Sequence, residues 1–167
     1  HIFEPFTVKR TTFRNRVIMP PMGSNYATFS GEVSEEMKNY YGLRAKGGTA
    51  LITVENACID YPLATNGTKR IDNKQFMPGL FELTERIHKY GALASIQLNH
   101  AGASAYPERL GGLQSVSSSS VPSKAGNPAP RPLTRREILN IVDKYAEAAE
   151  RAIGAGFDMV EIHGGHS

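Results

Sequence analysis

Residues 158–167, DMVEIHGGHS, carry an apolar run directly into two histidines separated by a Gly-Gly pair. Met159, Val160, Glu161 and Ile162 have the length and β-branched content of a buried strand, and Gly164-Gly165 marks the turn after it. His163 and His166 therefore sit at a strand's carboxyl end. The same organisation recurs upstream. Residues 16–19 (RVIM) stop at Pro20-Pro21, which cannot continue a sheet interior. Residues 50–55 (ALITVE) end in Glu55-Asn56, and residues 93–98 (LASIQL) run through Gln97 into Asn99-His100.

Helical signals fill the intervals. Ser34, followed by Glu35 and Glu36, reads as an N-cap with an acidic first turn, and Gly47-Gly48 closes that helix. Leu80, Leu83 and Ile87 repeat at helical spacing within residues 76–90, with Gly91 as the stop. Thr134 and Glu137 have capping-box spacing ahead of an apolar stripe formed by Ile138, Ile141, Val142, Tyr145, Ala149, Ala152 and Ile153. Residues 99–132 break the rhythm. Their prolines, glycines and serines predict a long loop that either covers the ligand edge or is disordered.

Four strands, each apolar on both faces and joined by helices, predict parallel β/α units. A doubly wound sheet and a (β/α)8 barrel both satisfy that pattern. In either, the carboxyl ends of the strands form the ligand edge, and in a barrel they converge on one mouth. No G-x-G-x-x-G follows the first strand, so a dinucleotide fold of the doubly wound type has no support. The expected fold is α/β, the first half of a (β/α)8 TIM barrel, about four parallel β/α units.

Composition removes other classes of function. The 167 residues are 40% hydrophobic and 21% charged, enough for one sizeable core. A formal charge of +3 spread over scattered lysines and arginines gives no nucleic-acid footprint. No apolar run reaches membrane-spanning length and no leader pattern opens the chain. Cys58 stands alone, which excludes an internal disulfide and fits a reducing, cytoplasmic setting.

RNRVIMPPMGS (14–24), GTALITVEN (48–56), SIQLNHAG (95–102) and AGFDMVEIHGGH (155–166) together resemble, in order, the strand-end motifs of the old yellow enzyme family. The resemblance is closest to its 2-enoate and dienoyl-CoA reductase branch and covers essentially the whole chain. It implies an FMN-containing barrel that takes hydride from NADH or NADPH and delivers it to an activated C=C bond of an unsaturated small molecule. Residues 1–167 would then be the N-terminal portion of that barrel. The tyrosine proton donor that commonly lies two residues past the second histidine, and the branch's iron–sulfur cluster and FAD, would fall beyond Ser167. A half barrel has raw sheet edges, so self-association or pairing with the missing half is expected. A non-catalytic binding or assembly module is the alternative.

The resemblance assigns roles that compete with plainer readings. Pro20, Pro21, Met22 and Gly23 would lie against the flavin ring, although Pro and Gly also simply end strands. Gly23 stands where other branches carry Cys or Thr. Gln97, and more weakly Asn56, would meet the flavin's pyrimidine edge; an amide supplies both donor and acceptor, yet a rim glutamine is often only a satisfied polar residue. His100 reads as a structural histidine beneath the site. His163 and His166 could be half of a zinc site, but no H-E-x-x-H is present and Cys58 offers no partner. By resemblance they are the donors that hold a substrate carbonyl or carboxylate oxygen, and no metal is expected.

Overall fold

The computed structural model describes residues 1–65, 69–105, 107–124 and 128–165. A hairpin of β1 (Phe6–Val8) and β2 (Thr11–Phe13) leads into β3 (Ile18–Met19). Then follow α1 (Glu35–Lys46), β4 (Leu51–Cys58), α2 (Met77–His88) and β5 (Leu93–Asn99). After a long connection containing β6 (Val116–Ser117) and β7 (Arg131–Pro132), α3 (Arg135–Gly154) and β8 (Met159–Ile162) complete the chain.

Strands β3, β4, β5 and β8 form one parallel sheet in chain order. All three helices pack on the same face. Met37, Tyr41 and Ala45 of α1, Leu80, Leu83 and Ile87 of α2, and Ala148 and Ala152 of α3 meet Ile52, Val54, Ala94, Ile96 and Leu98 in a single core. Each fully buried aliphatic side chain there contributes roughly 1.5–3 kcal/mol. A doubly wound sheet would reverse strand order at a switch point and put helices on both faces; sequential strands with one helical layer are the arc of a (β/α)8 barrel.

The alternate side chains point to the inner face. Leu51 joins Phe13 and Ala50 in a second cluster, with Phe6, Leu93 and Met159 packed against it. The hairpin thus covers the amino-terminal end of the inner face, where Phe6 stacks on Phe13 at 4.7 Å. Its two three-residue strands are too short to show a period, so sequence patterning does not reveal them.

Helix ends follow the sequence. Ser34 Oγ accepts the Met37 N–H at 3.1 Å, and Thr134 with Glu137 forms the expected capping box. The stripe on α3 holds only in part: Ala152 is buried and Tyr145 and Ala149 pack against the core, joined by Ala148, whereas Ile138, Val142 and Ile153 are exposed. Small side chains let α3 sit close to β5 and β8, and the larger ones project past that contact. Residues 99–132 also differ from a featureless loop. Val116–Ser117 pairs with Arg131–Pro132, and Ala105, Leu110 and Val116 are buried. Tyr106 and residues 125–127 lie outside the described residues.

Arg14 fastens the base. Its Nη1 donates to the Tyr90 carbonyl at 2.6 Å, and its Nη2 donates to those of Ala45 and Thr49 at 2.8 Å. These carbonyls lie at or just beyond the carboxyl ends of α1 and α2, where backbone acceptors lack helical partners. Arg14→Met should cost about 3 kcal/mol, because buried carbonyls lose a charged donor. Arg14→Lys should recover only part of that, since an ammonium cannot reproduce the planar fork. Urea unfolding of the three proteins measures both effects.

Candidate active site

The parallel register brings the four strand ends to one edge. Met19 lies opposite Ile52, Val54 opposite Ile96, Gln97 opposite Glu161, and Leu98 opposite Ile162. Pro20, Pro21, Met22 and Gly23 leave β3 at this edge; Met22 and Gly23 are exposed, and open space stands where a Gly23 Cβ would be. The Ser24 N–H donates to the carboxylate of Glu55, which fastens this segment to β4.

Asn56, half-buried, sits in a bulge. Register runs from Val54 opposite Ile96 to Ala57 opposite Leu98, so Glu55 and Asn56 together face the single residue Gln97. Gln97 is buried on the inner face, and its Nε2 donates to Glu161 Oε1 at 2.6 Å. That bond fixes which way the amide presents its carbonyl oxygen. His163 continues the edge by donating its N–H to the Leu98 carbonyl at 3.0 Å. His166 lies outside the described residues. Pro20–Gly23, Asn56, Gln97 and His163 thus share one sheet edge.

His100 is bound into the support of this edge. Its Nδ1 accepts the Gly102 N–H at 3.1 Å, which places the ring proton on Nε2, 3.9 Å from Asp60 Oδ2. Asp60 in turn pairs with Lys144 of α3 at 2.6 Å. Cys58 is buried, its thiol pushed up to about 12 mainly by burial, so it is not a nucleophile at neutral pH. Among the described residues, no three His, Cys, Asp or Glu side chains gather as metal ligands, and no helix is long and apolar enough to cross a membrane.

Sequence reasoning passed over Glu161, Glu55 and Lys69. Glu161 was legible only as a polar interruption in a strand, and Glu55 only as a strand-end residue. Lys69 carries no local signal, because a lysine in a polar connection ordinarily faces water, yet here it is fully buried.

Residues 1–167 match the family described as NADH:flavin oxidoreductase / NADH oxidase. The chain is 42% identical over 168 residues to an NADH oxidase of Thermoanaerobacter brockii, covering 99% of this chain and 26% of that protein. It is 38% identical over 169 residues to an NADH:fumarate oxidoreductase of Klebsiella pneumoniae, covering 99% of this chain and 18% of that one. Its fold superposes on the Old Yellow Enzyme from a Pichia species with a TM-score of 0.88 at 27% identity, over 96% of this chain and 45% of that one. The chain therefore spans less than half the length of each of these proteins.

Burial, opposed by Asp60 and reinforced by Lys144, holds the His100 pKa below its ordinary 6.5. The unfolded chain takes up the proton first as pH falls, so stability present above about pH 6.5 is lost as pH drops through the lower folded-state value. His100→Gln should flatten this acid limb. Urea unfolding between pH 5 and pH 8 checks it, and an unchanged pH slope would count against the neutral, buried imidazole.

Proposed function

The chain belongs to the NADH:flavin oxidoreductase / NADH oxidase family, and from that premise we propose that the protein carrying it is an FMN-dependent ene-reductase. It transfers hydride from NADH or NADPH to the activated C=C bond of an enoate, enone or enoyl-CoA. The observation that carries this reading is the convergence of residues 20–23, Asn56, Gln97 and His163 on the carboxyl edge of one parallel sheet.

The residues present fit a flavin. Open space at Gly23 admits a flat ring against backbone. Asn56 and Gln97 supply amides, the chemistry that matches the alternating donors and acceptors of a pyrimidine edge. Gln97 is already held by Glu161, so little rotamer freedom is lost on binding. When bound, FMN supplies the two-electron chemistry, taking hydride from the nicotinamide and giving it to the alkene's β-carbon.

His163 and His166 hold the substrate's carbonyl or carboxylate oxygen. Negative charge grows on that oxygen as the β-carbon takes up hydride, so two fixed N–H donors bind the transition state more strongly than the ground state. The Klebsiella relative's name pairs NADH with fumarate, an unsaturated dicarboxylate, which supports a substrate of this class. Further β/α units pack against the exposed apolar side chains Ile138, Val142 and Ile153 of α3 and Val160 and Ile162 of β8. These exposed faces support the reading of residues 1–167 as the N-terminal portion of the whole barrel.

In the FMN-loaded protein, His163→Ala and His166→Ala should each slow alkene reduction by about a hundredfold. Flavin reduction by the nicotinamide should change far less. Stopped-flow absorbance separates the two half-reactions, and small, equal effects on both would remove the histidines from the substrate site. Gln97→Leu should weaken FMN retention about tenfold, the loss of one good hydrogen bond, as read by flavin fluorescence on dilution.

A further inference from the structure

We propose that Glu55 and Lys69 are a buried pair of positioning residues that together set where residues 20–24 and the Asn56 peptide stand at the active-site edge. The geometry of the pair is independent of the flavin; its consequence for FMN rests on the reading above.

Glu55 is fully buried within β4, a costly place for a carboxylate. It acts as an anchor there. One oxygen, Oε2, accepts the Ser24 N–H and, at 3.5 Å, the hydroxyl of Tyr41 on α1. The Tyr41 oxygen in turn accepts Glu55's own N–H at 2.9 Å. Burial pushes the Tyr41 pKa up, so the phenol keeps its proton and remains a donor. The other carboxylate oxygen, Oε1, is buried with no hydrogen-bond partner among the described residues. Strand β3 is only two residues long, so the turn after it has little sheet pairing of its own. The Glu55 carboxylate is what ties Ser24, and with it Gly23, to the sheet.

Lys69 completes the arrangement from behind. The bulge withdraws Glu55 and Asn56 from the ladder with β5, and the fully buried Lys69 Nζ donates to both of their carbonyls, to that of Asn56 at 3.2 Å. It thereby fixes the backbone at the point where the register shifts. Lys69 is itself locked to β4, because its carbonyl accepts the Cys58 N–H at 2.9 Å and the Ile71 N–H returns to the Cys58 carbonyl at 3.0 Å. Burial drives the Lys69 pKa down to about 7, and the Glu55 carboxylate pushes it back toward the charged form. Lys69 thus holds the Glu55 peptide while the Glu55 side chain holds Ser24, so the two buried residues act on one point of β4.

Two measurements on the FMN-loaded protein test the pair. Glu55→Ala should raise the FMN dissociation constant about tenfold, the loss of a hydrogen bond to a charged acceptor. Glu55→Gln keeps an oxygen for the Ser24 N–H and should restore affinity to within about threefold of the original. Lys69→Met should lower the flavin reduction potential measured below pH 7, since a nearby cation favours the anionic reduced form. A purely structural pair would leave affinity and potential unchanged in every folded variant, and that result would overturn the proposal. Thermal unfolding supplies the second arm: Glu55→Gln and Lys69→Met should each lower the midpoint, and the double variant should lose less than their sum. Additive losses would overturn the pairing. Should Glu55→Ala fail to fold, the Gln and Met variants still decide both arms. A protein that retains no FMN even unmutated would sink the flavin reading, while the unfolding cycle would still judge the pair.

Discussion

Parallel strands cannot be joined by tight hairpins; each must be carried back to the starting end by a crossover. Here the crossovers into β4, β5 and β8 all carry helices packed on one face, against Ile52, Val54, Ala94, Ile96 and Leu98. That constraint sends every strand in the same direction and collects all four carboxyl ends at one edge. It also divides labour within each strand. Helix-facing positions must be apolar, whereas the inner positions near the carboxyl end are released to carry Glu55, Gln97, Asn99 and Glu161.

The two ends of the inner face answer different demands. At the amino end, Leu51, Leu93 and Met159 close on the β1–β2 hairpin, and Arg14 gathers the carbonyls at the ends of α1 and α2. That end is a stopper. At the carboxyl end the polar side chains bond to one another and to backbone: Gln97 to Glu161, Glu55 to Ser24, Lys69 to the bulge carbonyls. Buried polar groups that are satisfied in this way are rigid, because breaking any one bond strands a donor or acceptor in a low dielectric. The edge is therefore shaped before any ligand reaches it.

Much of this was legible locally. Apolar runs of strand length, a Ser34 cap, a Gly91 stop and the Thr134–Glu137 box each act over a few residues, so their signals survive in the linear chain. Strand ends rich in Pro, Gly, amide and His were legible too, and the described ones share one edge of the sheet. The α3 stripe misled only in part. Periodicity reports which residues share a helix face, and it does not say how much of that face a neighbour reaches; Ala148 and Ala152 make the close contact while Ile138 and Val142 lie beyond it. Residues 99–132 were legible as a long connection, but composition alone does not say which apolar side chains, such as Leu110 and Val116, are buried within it.

By itself the sequence determined the α/β class, the order of the β/α units and the edge at which the candidate residues emerge, because hydrophobic period and capping are short-range and additive along the chain. Only the tertiary structure decided which polar residues at that edge hold one another. Glu161 meets Gln97 across 64 positions, Ser24 meets Glu55 across 31, and Lys69 reaches the Glu55 carbonyl across 14. Such pairings depend on register, on a bulge that shifts it between Val54 and Ala57, and on the burial that makes an unpaired charge costly. None of these is a property of any residue's own neighbourhood in the chain, which is why a lysine among polar residues reads as solvent-facing until the fold closes over it.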